Sequence, residues 1–279
     1  MPLVASSDVV LPARHAGRGV GAFNVIQLEH AEALAAGAER AGSPVILQVS
    51  QNAARYHGAL GPIGLATLAV ARASSAPVVV HLDHATDEAL VDEAIALGFT
   101  SVMFDASALD YAENVGRTAD VVRRAHDAGV WVEAELGEVG GKDGVHAPGV
   151  RTDPGEAAAF VAATGIDALA VAVGSSHAMT ERTAALDFER IGELRAAVPV
   201  PLVLHGSSGV ADADIARAVT AGLTKVNIAT HLNVTLTSAL RGYLAEHPDV
   251  VDPRKYLGAG RDALTAETAR LIGIIAGSG

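Results

Sequence analysis

Eight short apolar runs recur along the chain, and each is followed by a segment with helical spacing. The runs are VGAFN (20–24), VILQVS (45–50), PVVVHLD (77–83), SVMFD (101–105), VWVEAEL (130–136), DALAVAVG (167–174), VPLVLHG (200–206) and TKVNIAT (224–230). Each is too short for a helix and most are bounded by Gly, Pro, Ser or Asp, which predicts strands. Their starts are separated by 25, 32, 24, 29, 37, 33 and 24 residues, with no linker or low-complexity tract between them. The intervening segments, such as LEHAEALAAGAERAG and DEALVDEAIALG, are Ala-rich and helical in period. Thr86 before Asp87-Glu88, Asp153 before Pro154 and Ala211-Asp212 read as helix starts, and Gly42 and Gly98 as helix stops. A strand–helix unit repeated eight times closes naturally into an α/β (β/α)8 TIM barrel, a fold of ~250 residues. RDALTAETARLIGIIAG adds one C-terminal helix, and residues 1–279 read as a single domain. A doubly wound open sheet would want a Gly-rich phosphate loop after its first strand, which GAFNVIQ is not.

Composition supports a packed barrel and removes several function classes. Half the residues are hydrophobic and 19% charged, enough to bury a core and unlike a disordered chain. No apolar run reaches the ~18–20 residues of a membrane span, and MPLVASSDVV does not read as a signal segment. The expectation is therefore a cytoplasmic protein with no membrane partner. A net charge of −12 argues against nucleic acid. There are no cysteines, which excludes disulfides, thiolate metal sites and thiol nucleophiles.

In such a barrel the active site lies at the C-terminal ends of the strands. Those ends carry Asn24, Ser50, Asp83-His84, Asp105, Glu135, His177, His205 and Asn227, a polar group from every strand. Any one of them is more often a satisfied loop residue; their coincidence on one rim reverses that expectation. His84, His177 and His205 offer three imidazole nitrogens without a thiolate, a set suited to catalytic Zn2+ with an open coordination position. The remaining histidines, His81 among them, read as ordinary. Asp83, next to His84, is read as the acid/base at the substrate oxygen; the alternative is a role in orienting a metal-bound histidine. His205-Gly206-Ser207-Ser208-Gly209 and Asn227-Ile228-Ala229-Thr230 expose N–H groups and hydroxyls where barrels of this type hold phosphate.

HLDH (81–84), SVMFDAS (101–107), VEAELGEVGG (132–141), VAVGSSH (171–177), PLVLHGSSG (201–209), KVNIAT (225–230) and DPRKY (252–256) together resemble the zinc-dependent class II ketose-bisphosphate aldolases. This family includes the fructose- and tagatose-bisphosphate aldolases, and the blocks run in order through nearly the whole chain. The resemblance implies that His84, His177 and His205 hold the zinc and that Asp83 is the acid/base. It implies that Glu135 approaches the metal in alternative positions, that Asp105 belongs to the metal neighbourhood, and that Ser208, Asn227, Thr230 and Gly206 hold the dihydroxyacetone phosphate half. Asn24 and Ser50 would line the pocket. A monovalent cation (Na+ or K+) near the phosphate loops, a phosphorylated sugar substrate and a homodimer or homotetramer are further family features.

The chain departs from that family at three places. The strand-5 loop has Lys142-Asp143 where family members carry the acid that shuttles the carbon proton, so Asp143 or Glu138 is left for that task. Ala178 stands where Gly commonly follows the second zinc histidine. Ala229 and Asn233 occupy positions where fructose-specific members carry an acid and an arginine, so Arg254 and Arg261 become candidates for the distal phosphate. Three rival readings are a Schiff-base aldolase using Lys142, Lys225 or Lys255, a zinc barrel hydrolase, and a non-catalytic partner of an aldolase. The hydrolase would need a His-x-His pair on the first strand that this chain lacks.

Overall fold

The computed structural model describes residues 2–136, 151–175 and 181–277. Eight parallel strands close into a barrel in sequence order: β1 (Val20–Asn24), β2 (Val45–Ser50), β3 (Val78–Ala85), β4 (Ser101–Phe104), β5 (Trp131–Glu135), β6 (Ala168–Val171), β7 (Leu202–Leu204) and β8 (Leu223–Ile228), with β8 pairing back to β1. The predicted (β/α)8 barrel is therefore the fold. Around it among the described residues lie α1 (Ser7–His15), α2 (Leu28–Ala41), α3 (Gln51–His57), α4 (Leu60–Ala73), α5 (Glu88–Leu97), α6 (Tyr111–Asp127), α7 (Pro154–Thr164), α8 (Phe188–Ala197), α9 (Asp212–Ala221), α10 (Thr230–Glu246) and α11 (Pro253–Ala276). None of them is long and apolar enough to cross a membrane.

Two elements go beyond the expected eight units plus one helix. The first, α1, precedes the barrel, and its Val9 and Val10 pack on inward-facing Val20, Ile46 and Val79 to close the N-terminal end. The second, α3, sits in the loop after β2, where the Ser50 hydroxyl accepts from Ala53 N and caps it. The C-terminal helix is also longer than read, because DPRKY forms its first turn: the Asp252 carboxylate accepts from Arg254 N and Pro253 takes the first helical position. Before α5 the cap is Asp87 rather than Thr86; the Asp87 side chain accepts from Ala89 N, while Thr86 receives a hydrogen bond from Gln51. Gly42 and Gly98 end their helices with φ of 60° and 94°, a backbone region that L side chains resist.

Strand alternation sorts the barrel by chemistry. Outward residues such as Leu47, Val80, Val102, Val132 and Leu204 join the main core under the helices. Inward residues change character with height. At the N-terminal end they are apolar (Val20, Ile46, Val79), in the middle polar and buried (Gln48, His81, Ser101, Glu133, Lys225), and at the C-terminal rim among the described residues they are Asn24, Ser50, Asp83, Glu135, His205 and Asn227. Helix α11 packs along α2 and α10 and reaches α9 and β1. Glycines permit the close approach: a methyl group on Gly37 would lie 2.5 Å from the Thr268 side chain, and one on Gly260 would collide with Leu240.

Candidate active site

Successive strand residues face opposite sides, so Asp83 and His84 should not both reach the barrel mouth. They do so because the β3–β4 register shifts between Leu82 and Ala85 and His84 adopts φ 48°, the one non-glycine residue with positive φ among those described. Holding a non-glycine residue there costs on the order of 1 kcal/mol, a strain typical of functional positions. The two side chains open into a cavity of about 450 Å3 at the C-terminal rim, which Asn24, Ser50, Asp105, His205, Gly206, Ser208, Asn227 and Thr230 also line. Asn52 on α3 lines it too, without having been singled out from the sequence. Glu135 is buried beside it, with a carboxylate oxygen within 4.8 Å of ligand atoms of His84 and Asp105. His177, Asp143, Glu138, Lys142 and Ala178 lie outside the described residues.

The two described histidines face one another across 2.8 Å, His84 Nε2 to His205 Nδ1. Each ring's other nitrogen meets a carboxylate: His84 Nδ1 is 2.9 Å from Asp105 Oδ2, and His205 Nε2 is 2.9 Å from Glu133 Oε1. An ionised carboxylate only accepts hydrogen bonds, so it assigns the proton to the outer nitrogen of each neutral ring. The two inner nitrogens then point into the same space, where a shared proton or a metal ion satisfies both. The surrounding carboxylates favour positive charge at this position. Burial disfavours charge on His84, but the Asp83 charge, the Asp105 hydrogen bond and Glu135 together raise its pKa to about 10. For Asp105, burial is outweighed by the His84 contact and by the Ser107 hydroxyl and N–H, which hold its carboxyl far below the usual range. Asp105 thus touches His84 directly and braces it.

Asp83 is 4% exposed. Its Oδ2 accepts from Asn24 Nδ2 at 3.0 Å, and Gln48 Nε2 donates in turn to Asn24 Oδ1 at 3.1 Å. Its Oδ1 is buried without a hydrogen-bond partner among the described residues, an acceptor available to a substrate hydroxyl. Deeper in the barrel, the Glu133 carboxylate that holds His205 also takes Lys225 Nζ at 2.7 Å, and Lys225 lies 3.4 Å from His81 Nε2. His81 Nδ1 is in turn 2.7 Å from Ser101 Oγ. Burial first, and Lys225 second, push the His81 pKa well below its ordinary value, so this ring is neutral. His81 is thus a buried histidine satisfied by Ser101 and Lys225, and Glu133 and Lys225 lie beneath His205 at positions that the strand ends alone do not mark. Period-two alternation from Glu135 on β5 and from Asn227 on β8 would have marked both as inward-facing.

The turn and helix start read from the sequence as a phosphate site also lie together. Gly206 has φ 67° and opens a short 3-10 turn over Ser207–Gly209. Ser208 Oγ accepts from Ala229 N (3.3 Å) and His231 N (3.2 Å), so the start of α10 directs two N–H groups at one point beside the cavity. No Lys or Arg lines the cavity among the described residues. Arg254 pairs with Asp252 and Arg261 with Glu32, and neither reaches the cavity of this chain.

The family model described as fructose-bisphosphate aldolase class-II matches residues 4–279. A fructose-bisphosphate aldolase from Geobacillus stearothermophilus is 43% identical over 270 residues, covering 95% of this chain and 94% of its own length. One from Staphylococcus aureus (strain N315) is 41% identical over 268 residues, with the same coverage of 95% and 94%. Among solved structures, the YdjI aldolase from Escherichia coli K12 superimposes with a TM-score of 0.85 at 31% identity, over 99% of this chain and all of that one.

Proposed function

The chain belongs to the class II fructose-bisphosphate aldolase family and is an aldolase, a carbon–carbon lyase; we propose that it acts with Zn2+ on a ketose 1,6-bisphosphate of the fructose or tagatose type. The products are dihydroxyacetone phosphate and an aldehyde such as glyceraldehyde 3-phosphate, and the cleavage is reversible. The reading is carried by the convergence of His84 Nε2 and His205 Nδ1, 2.8 Å apart, with the buried Asp83 carboxylate in one group of potential metal-ligand atoms. An imidazole and carboxylate donor set without thiolates suits Zn2+. His84 and His205 would hold it, with His177 as third ligand and Glu135 close enough to join.

When bound, the metal would supply Lewis-acid stabilisation of the negative charge that develops on the ketone fragment. The residues of the chain do the rest. Asp83 accepts the proton of the hydroxyl whose carbon becomes the aldehyde. The carbon–carbon bond then breaks, and its electron pair stays with the ketone-side fragment, which takes up a proton at carbon. Asp143 or Glu138 would deliver that proton. Asn24 keeps Asp83 aimed through Oδ2. Backbone N–H groups and hydroxyls at Gly206, Ser208, Asn227 and Thr230 would bind the phosphate of the dihydroxyacetone half without a cationic side chain. A monovalent cation beside those loops and a homodimer or homotetramer are proposed on the family resemblance alone.

The imine alternative is weakened by the position of Lys225, whose ammonium is buried and engaged by Glu133 and His81. Retention of Asp83, His84 and His205 in one cavity weighs against a non-catalytic partner role. The test is a cleavage assay across fructose and tagatose 1,6-bisphosphates and their monophosphates, with EDTA and zinc restoration, on wild type and His205→Ala. Cleavage that EDTA abolishes and zinc restores, and that the variant loses together with bound zinc, is the expected result. Full turnover in EDTA, or inactivation by borohydride with substrate, would overturn it.

A further inference from the structure

Helix α11 does more than complete the helical ring. Its Glu267 carboxylate meets His231 Nε2 at 2.6 Å, and His231 is the residue whose backbone N–H points at Ser208 Oγ. One turn further, Arg270 Nε donates to Glu267 Oε2 at 2.8 Å, and its Nη1 pairs with Asp212. Asp212 is the first residue of α9, three residues beyond the Ser207–Gly209 turn. Its other oxygen is taken by Arg182, in the segment leading from β6 to α8. A single arginine on α11 therefore ties together the ends of the loops after β7 and β8, and through Asp212 also the loop after β6.

Partly exposed ion pairs contribute little to global stability, typically ~0–1 kcal/mol each. Their placement is what distinguishes this set. The spacing between the Ser207–Gly209 turn and the first N–H groups of α10 decides whether those donors converge on one anion, and Arg270 links the outer sides of both, directly at Asp212 and through Glu267 at His231. The close contacts of Gly37 and Gly260 hold α11 itself firmly against α2 and α10. We propose that α11 is an outer clamp on the phosphate loops, with Arg270, Glu267 and the His231 ring as positioning residues for a phosphate-bearing substrate. This rests on the reading above that those loops hold phosphate.

The experiment uses the full-length zinc-loaded protein, with Arg270→Met, Glu267→Gln and Arg270→Lys, and with Arg124→Met on α6 as a control ion-pair loss. KM and kcat for the phosphorylated ketose, the inhibition constant of inorganic phosphate, and thermal stability are measured. Arg270→Met should raise KM and the phosphate inhibition constant together, by about three- to thirtyfold, with kcat within about twofold. Glu267→Gln should follow in the same direction, Arg270→Lys should recover part of the loss, and Arg124→Met should leave both constants unchanged. A wild type that responds to phosphate and an Arg270→Met variant that matches it in both constants would overturn the clamp alone. A wild type indifferent to phosphate and to phosphorylated ketoses would overturn the anion site and the clamp with it.

Discussion

Lys225 Nζ stands 2.7 Å from Glu133 Oε2 inside the barrel, and the other oxygen of that carboxylate holds the outer nitrogen of His205. Both partners are almost completely buried. The ion pair is thus an underlay to the proposed metal site, fixing which nitrogen of His205 faces the cavity.

Removing one partner of a buried pair leaves an uncompensated charge and typically costs ~3–5 kcal/mol. Lys225→Met should therefore lower thermal stability strongly. Glu133→Gln keeps an acceptor for His205 but loses the charge, and is expected to weaken zinc affinity by about 10- to 100-fold. Titration against a competing chelator measures this; unchanged affinity would reduce Glu133 to a packing role.

Asp83→Ala should keep zinc bound while cleavage falls by roughly two to four orders of magnitude, the usual contribution of a general acid/base. Metal analysis with steady-state kinetics reads both quantities. Near-normal rates would leave Asp83 only as a partner for Asn24.

Asp143→Ala is expected to slow proton exchange at the ketone-side carbon of dihydroxyacetone phosphate more than it changes substrate affinity. Isotope exchange followed by NMR provides the measurement, and an unaltered rate would transfer the task to Glu138 or to water.

The α11 network also carries a pH signature. Burial favours the protonated forms of Asp212 and Glu267, but hydrogen bonds from Arg270, joined by Arg182 on Asp212 and His231 on Glu267, prevail and lower both pKa values from ordinary ones of 3.8 and 4.5. The unfolded chain then binds these protons more readily than the folded one. The stabilisation is accordingly present above about pH 4.5 and is lost as pH falls through the lowered folded values. Thermal melts from pH 6 to about pH 3 should show a shallower decline in Arg270→Met than in wild type; parallel curves would contradict the assignment.

The barrel was legible in the sequence because its information is local. The β1 and β2 boundaries agree with the predicted runs at both ends, and β2 alternates outward Val45, Leu47 and Val49 with inward Ile46, Gln48 and Ser50. The described rim residues were equally legible, because a strand end is a sequence position before it is a place in space. The reading stopped short at the middle layer, where Glu133 and Lys225 are 92 residues apart along the chain and His81 and Lys225 are 144 apart. No short-range pattern reports a pairing across a closed barrel.

The sequence by itself determined the repeat, the closure into eight strands, and the delivery of Asp83, His84, Asp105, His205 and the Ser208 and Asn227 loops to one end, because period and turn chemistry act between near neighbours. Only the tertiary structure decided that Asp83 and His84 share the cavity, through a register shift and one left-handed residue. The orientation of His205 over the Glu133–Lys225 pair, and the grip of α11 on the loops after β7 and β8, were likewise settled only there. These relationships arise where segments remote in the chain are pressed together, and their energies depend on burial and distance that no stretch of sequence contains.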